Sequence, residues 1–130
     1  MKRKQITMLF LTSLMPWIVG NAVMALVPIY ARQLGADDAA TGLYLAISFA
    51  ALAVGSLGSG WLSRRFQRRK AFIVGAALLS VPMALLMSQA QTLVALTAAT
   101  SILWLFFGIA TTMVNILTGL SASAQRRGLI

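Results

Sequence analysis

Cysteine and histidine are both absent from the 130 residues, and the only acidic side chains are Asp37 and Asp38. Without cysteine the chain has no disulfide framework and no thiolate nucleophile. Two neighbouring carboxylates without a histidine leave almost nothing for acid–base catalysis or for binding a metal. We therefore expect no enzymatic activity, no metal site and no cofactor.

Charge is scarce as well: 10% of the residues are charged, against about 25% in a typical soluble domain. The balance is strongly basic, with eleven Lys and Arg residues and a net charge of +9. A nucleic-acid-binding domain gathers its basic residues on one soluble face, whereas here they stand in short clusters between apolar runs. The expected surroundings are a lipid bilayer, and nucleic acid is not an expected partner.

The charged residues divide the chain into long uncharged runs. The run from 71 to 125 is too long for one membrane crossing, and its most polar stretch, residues 88–92, is the expected break. This predicts membrane spans at 6–30, 41–62, 71–87 and 93–119, each near the roughly 20 residues that cross a bilayer. Lipid cannot satisfy free backbone amides, so each span must be helical. The predicted fold class is an all-α integral membrane protein with four transmembrane helices.

The basic clusters predict the orientation of the chain. If there are four spans, ten of the eleven basic residues fall on one side, and only Arg32 falls on the other. Basic loops face the cytoplasm, so we expect both termini to be cytoplasmic. The first span also resembles a signal peptide with a cleavage site after Ala25. Its apolar run continues to Tyr30, however, beyond the typical h-region of about 7–15 residues, which favours a retained helix.

Residues 60–70 read G-W-L-S-R-R-F-Q-R-R-K and resemble the signature of the major facilitator superfamily between its second and third helices, G-x-L-a-D-r-x-G-r-r. The alternative is a generic basic cytoplasmic loop. Two positions depart from the signature: Arg64 replaces its aspartate and Gln67 its second glycine. In the family that aspartate joins a charge-relay contact that locks one conformation, so here the lock is built differently or is impaired. The matching positions are Gly60, Leu62, Ser63, Arg65, Arg68 and Arg69.

Small residues recur every four positions in the second span, at Ala51, Gly55 and Ser59. Such a stripe lets helices approach closely. The family resemblance implies that the stripe faces the other half of a transporter. The alternative is packing within this half.

Polar and small side chains form a seam on the fourth span, with a shorter counterpart on the first, at the three- and four-residue steps of one helix face. In the family, helices one and four line the central cavity, so these residues are candidates for contacting substrate. The alternative is contact between helices, since an amide in lipid seeks any partner. No span contains an aspartate, glutamate, histidine, lysine or arginine, the usual mark of a proton relay. The candidates are Asn21, Met24, Trp104, Gly108, Thr111 and Asn115.

The resemblance covers essentially the whole chain, but a full member has twelve helices in two six-helix halves. We therefore expect residues 1–130 to be part of the N-terminal half of a secondary transporter. Its parent would export an unknown small molecule across the bacterial inner membrane, and the chain would be inactive without its remaining helices. One alternative is a complete four-helix exporter acting as an oligomer, although such exporters use a glutamate in helix one that is absent here. Another is a membrane subunit that does not transport.

Overall fold

The computed structural model describes residues 3–66 and 68–121, which form four helices. These are α1 (Arg3–Gln33), α2 (Asp38–Phe66), α3 (Arg69–Ser88) and α4 (Leu93–Ser121). We call the end that carries residues 34–37 and 89–92 the outer end, and the end that carries residue 68 the inner end. The 29 residues of α2 and of α4 give each helix a length of about 43 Å.

The helices extend beyond the predicted spans, most clearly around the signature. Arg64 and Arg65 belong to the last turn of α2, and Arg69 and Lys70 open α3. The signature is therefore largely helical rather than a loop. The physical reason is that a helix can continue from the hydrocarbon into the headgroup region, where the bilayer totals about 40–45 Å.

Local signals define the helix ends at the outer end. Gly35 has a φ of +86°, which glycine adopts without a steric penalty and which ends α1. The carboxylate of Asp37 accepts a hydrogen bond from the Ala40 amide at 2.7 Å and so caps α2. The hydroxyl of Thr92 caps α4 in the same way, accepting from the Ala95 amide at 3.2 Å.

Length and hydropathy qualify three helices among the described residues to cross a membrane: α2, α3 and the segment Leu93–Leu120 of α4. In each of these helices, no more than 28% of the most apolar segment is buried within the chain. The apolar side chains of these helices therefore face outward in large numbers, as lipid-embedded helices require. The crossing by α1 stays a prediction.

Helix α4 is central, since it packs against α2, α3 and α1. The outer end has a buried core formed by side chains from three helices and the α3–α4 connection. The Tyr30 hydroxyl fastens this core, because it donates a hydrogen bond to the Ala90 carbonyl at 2.8 Å. The core consists of Val27, Ala31, Tyr44, Ala90 and Leu96.

Candidate functional site

The small-residue stripe of α2 contacts α4. A Cβ built on Gly55 would collide with the backbone carbonyl of Leu105. Ser59 is fully buried one turn further along, and its hydroxyl lies 3.5 Å from the Ile109 carbonyl. Ala51, the third member of the predicted stripe, is half-buried. The close approach that glycine permits is therefore used within this chain.

Gly108 of the predicted seam contributes to the same contact from the α4 side. A Cβ built there would collide with the Leu52 carbonyl and lie 3.0 Å from both the amide nitrogen and the hydroxyl oxygen of Ser56. Gly108 thus faces α2 closely. It is not among the residues that line the cavity described below.

Four aromatic side chains, which we call the aromatic cluster, connect three helices. Trp17 of α1 meets Phe107 of α4 edge to face, with ring centroids 6.5 Å apart. Phe107 contacts Trp104 at 5.3 Å, and Trp104 contacts Phe49 of α2 at 5.6 Å. Such geometries stabilise aromatic pairs beyond the burial of their area. The cluster therefore fixes the relative depth of α1, α2 and α4.

A cavity of about 450 Å³ lies between α1, α3 and α4, and we call it the apolar cavity. Its two hydroxyl side chains bond back to their own helices: Thr12 to the Met8 carbonyl and Ser80 to the Ala76 carbonyl, each at 2.7 Å. The wall that a ligand meets is therefore almost entirely hydrocarbon and aromatic. The cavity is lined by Thr12, Gly20, Val23, Ile73, Ala77, Ser80, Leu103, Trp104, Phe107, Ala110 and Val114.

The other seam candidates take different positions. Trp104 alone among the six lines the apolar cavity. Asn21, Met24 and Asn115 are exposed, and Thr111 is half-buried, with its hydroxyl donating to the Phe107 carbonyl at 2.8 Å. The side-chain nitrogen of Asn21 donates to the Trp17 carbonyl at 2.7 Å, and no bond to its side-chain oxygen occurs among the described residues. Trp17, Asn21 and Met24 lie along one side of α1, as their spacing requires.

The two seam amides are not brought together. Gly20 contacts the Phe107 ring, which places Asn21 near the depth of Phe107. Asn115 lies eight residues further along α4, about 12 Å nearer the inner end at 1.5 Å per residue. The two amides would therefore contact opposite ends of one molecule, or successive positions of a molecule moving along a path. They would not both contact the same atom.

The signature positions form an inner-end cluster that includes one specific contact. Ser63 is buried, and its hydroxyl accepts a hydrogen bond from the Arg69 guanidinium Nε at 2.7 Å. This bond ties the end of α2 to the start of α3. Gln67 lies outside the described residues. Of the remaining positions, Gly60 and Leu62 are half-buried, and Arg64, Arg65 and Arg68 are exposed.

Of the four members of the aromatic cluster, the predicted seams of the fourth and first spans contained Trp104 and Trp17, and sequence reasoning missed Phe49 and Phe107. Both are single aromatic residues in apolar helices, where periodicity does not distinguish a cluster member from a lipid-facing side chain. For Phe107, the nearby Trp104 was the available signal, since residues three apart lie on the same helix face.

Apolar helices packed around a central helix define a polytopic helical membrane protein. The sequence profile of the Major Facilitator Superfamily matches residues 2–130. The chain belongs to this superfamily, which confirms the resemblance drawn from residues 60–70. No curated protein and no solved structure matches the chain. The family is one of membrane transporters rather than enzymes, so the chain is an integral membrane protein of transporter type.

Proposed function

We propose that the chain forms part of a secondary transporter that exports small molecules, with a substrate path along the exposed polar sides of α1 and α4. The observation that carries this proposal is Asn115. Its amide is exposed on an apolar helix, and no side chain or carbonyl among the described residues bonds to it. Within residues 3–66 and 68–121, the alternative role, an interhelical hydrogen bond, is therefore not filled.

The position of Asn115 along α4 decides whether its exposed amide faces hydrocarbon or the headgroup region. It lies six residues before the end of a helix of 29 residues, so about 9 Å from that end. A helix of about 43 Å exceeds the hydrocarbon thickness of about 30 Å by some 6–7 Å at each end. With the helix centred on the bilayer, the amide lies about 2–3 Å inside the hydrocarbon boundary, where an unbonded polar group facing lipid is costly. A path that holds water or substrate removes this cost.

The chemistry of the proposed path favours an uncharged substrate with apolar or aromatic character. The uncharged runs 5–31, 39–63 and 71–125 contain no ionisable acid, lysine or arginine. Asn21 and Asn115 supply hydrogen-bonding groups, and the exposed Trp17, one turn from Asn21 on α1, supplies an aromatic surface. Coupling to an ion would need residues outside these three runs.

Orientation and context follow the charge distribution and the family. We propose that the inner end is cytoplasmic, in a bacterial inner membrane, because the basic residues concentrate there. Alternating access needs two repeats that move around a shared site. The four helices would therefore act with further helices as part of an N-terminal six-helix half.

Accessibility of position 115 tests the path directly. The chain lacks cysteine, so Asn115→Cys introduces a unique thiol. In membrane vesicles, a membrane-impermeant maleimide should modify it, and a neutral aromatic compound such as N-phenyl-1-naphthylamine should slow the reaction. Val74→Cys is the control, since Val74 is 57% exposed and lies five residues from the inner end of α3. Equal labelling of both thiols would place Asn115 against lipid and contradict the proposed path.

Transport by the chain alone is a separate test. Proteoliposomes containing only residues 1–130 should not accumulate the same compound, because the second repeat is missing. Accumulation that depends on the chain would instead favour the oligomeric four-helix exporter.

A further inference from the structure

Two cavities share the groove between α3 and α4. The apolar cavity occupies its middle, and a second cavity of about 390 Å³ lies at the inner end. We call the second one the basic pocket, since three consecutive cationic side chains line it. Its lining residues are Arg68, Arg69, Lys70, Ala71 and Leu117.

The two cavities adjoin along both helices. On α4, Leu117 lines the basic pocket and Val114 lines the apolar cavity. On α3, Ala71 lines the basic pocket and Ile73 lines the apolar cavity. Three residues along a helix correspond to about 4.5 Å. A single elongated molecule could therefore occupy both, with one end among cations and the other among hydrocarbon.

The cations of the basic pocket have no acidic partner in the described part of the chain. Asp37 and Asp38 are the only acidic side chains in the sequence and lie at the outer end, where Asp38 pairs with Arg32 at 2.6 Å. Arg69 donates to Ser63 through its Nε, so its two terminal nitrogens remain as donors. The pocket is thus a concentration of positive charge that an anionic group would neutralise.

The apolar cavity has the depth of a lipid chain. Along α4 it is lined from Leu103 to Val114, about 17 Å at 1.5 Å per residue. One leaflet contributes about half of the 30 Å hydrocarbon core. The cavity thus extends across about one leaflet, starting directly beneath the basic pocket.

We propose that this groove binds an anionic phospholipid of the leaflet at the inner end. Its phosphate lies among Arg68, Arg69 and Lys70, and one acyl chain enters the apolar cavity beside Trp104 and Phe107. Basic pockets between transmembrane helices are suited to such headgroups. A soluble phosphate would leave the hydrocarbon wall unfilled, and a zwitterionic lipid would leave the net positive charge uncompensated.

Native mass spectrometry of the full chain tests the headgroup. The chain is reconstituted in mixed phosphatidylglycerol and phosphatidylcholine and then released into mild detergent. It should retain phosphatidylglycerol selectively. R68Q/K70Q should lower the preference by about 5-fold per basic residue removed. R64Q/R65Q removes the same charge from exposed positions outside the pocket and should leave most of the preference intact.

Fluorescence quenching tests the acyl chain. Trp104 is the buried tryptophan, at 8% exposure, whereas Trp17 and Trp61 are largely exposed. In a W17F/W61F chain, phosphatidylglycerol with brominated acyl chains should quench Trp104 more than brominated phosphatidylcholine at the same mole fraction. Ala77→Phe fills the lining and should abolish this difference. Ala84→Phe lies two turns away on α3, outside the lining, and should preserve it.

Several results would overturn the proposal. Equal retention of the two lipids would remove the anionic preference, and equal losses in R68Q/K70Q and R64Q/R65Q would reduce it to general surface charge. Displacement of the lipid by excess inorganic phosphate would identify a free anion site. Unchanged quenching in Ala77→Phe would remove the acyl chain from the cavity. If the tryptophan variant does not fold, mass spectrometry of the Ala77→Phe chain decides the same question, since retention equal to that of Ala84→Phe would contradict the proposal.

Discussion

Replacing Gly55 with alanine should separate α2 from α4. The new Cβ would lie 3.0 Å from the Leu105 carbonyl carbon and 3.2 Å from its Cα, with the carbonyl oxygen closer still, where ordinary contact begins at 3.4 Å. These are backbone atoms, so no side-chain rotation relieves the collision. Relieving the contact with the carbonyl carbon alone requires a shift of at least 0.4 Å, the difference between these distances.

The energetic cost follows from the length of the shared interface. A gap of about 0.5–1 Å forfeits a quarter to a half of the dispersion energy of each atom pair that it opens. Overpacked cores lose about 1–3 kcal/mol, and the Ser59 hydroxyl would also move away from the Ile109 carbonyl. We expect Gly55→Ala to lower the free energy of unfolding by about 2 kcal/mol.

The assay is unfolding in bicelles by titration with sodium dodecyl sulfate, followed by circular dichroism. Gly58→Ala is the control in the same helix, because a Cβ built on Gly58 has nothing within 4 Å. Gly108→Ala should behave like Gly55→Ala, and the double substitution should cost less than the sum, because either one already widens the same interface. Unfolding of Gly55→Ala at the same detergent fraction as Gly58→Ala would refute the close approach.

Four further predictions concern other parts of the bundle. Tyr30→Phe should cost about 0.5–1.5 kcal/mol in the same titration, because it removes the hydrogen bond to the α3–α4 connection. Ser101→Ala should be neutral or stabilising, because the Ser101 hydroxyl is buried without a partner among the described residues; a loss as large as that of Tyr30→Phe would contradict this. Ser63→Ala should loosen the inner end and speed tryptic cleavage there, since the guanidinium it binds is released; an unchanged cleavage rate would show that the bond is unimportant. Ala39→Cys and Arg65→Cys, both exposed, should react with impermeant maleimide from opposite sides of the membrane, and labelling from one side would contradict the topology.

The sequence by itself determined the helical membrane architecture and the family. In lipid the backbone can form hydrogen bonds only within its own helix, so long uncharged runs predict helices almost directly. Helices α1 to α4 contain all four predicted spans and extend beyond them. The signature at residues 60–70 carried the family, which the profile match confirms. Both features depend on residues close together along the chain, so a single sequence is enough to predict them.

Only the tertiary structure decided which helix each face meets. Periodicity placed Trp104, Gly108 and Asn115 on one seam, but a helix in the middle of a bundle has a different neighbour on each side. Gly108 therefore packs against α2, Trp104 lines the apolar cavity, and the side chain of Asn115 is exposed. The partner of a helix face depends on the crossing and relative depth of distant segments. Those are fixed by contacts such as Trp17 with Phe107, which no repeat along the sequence encodes.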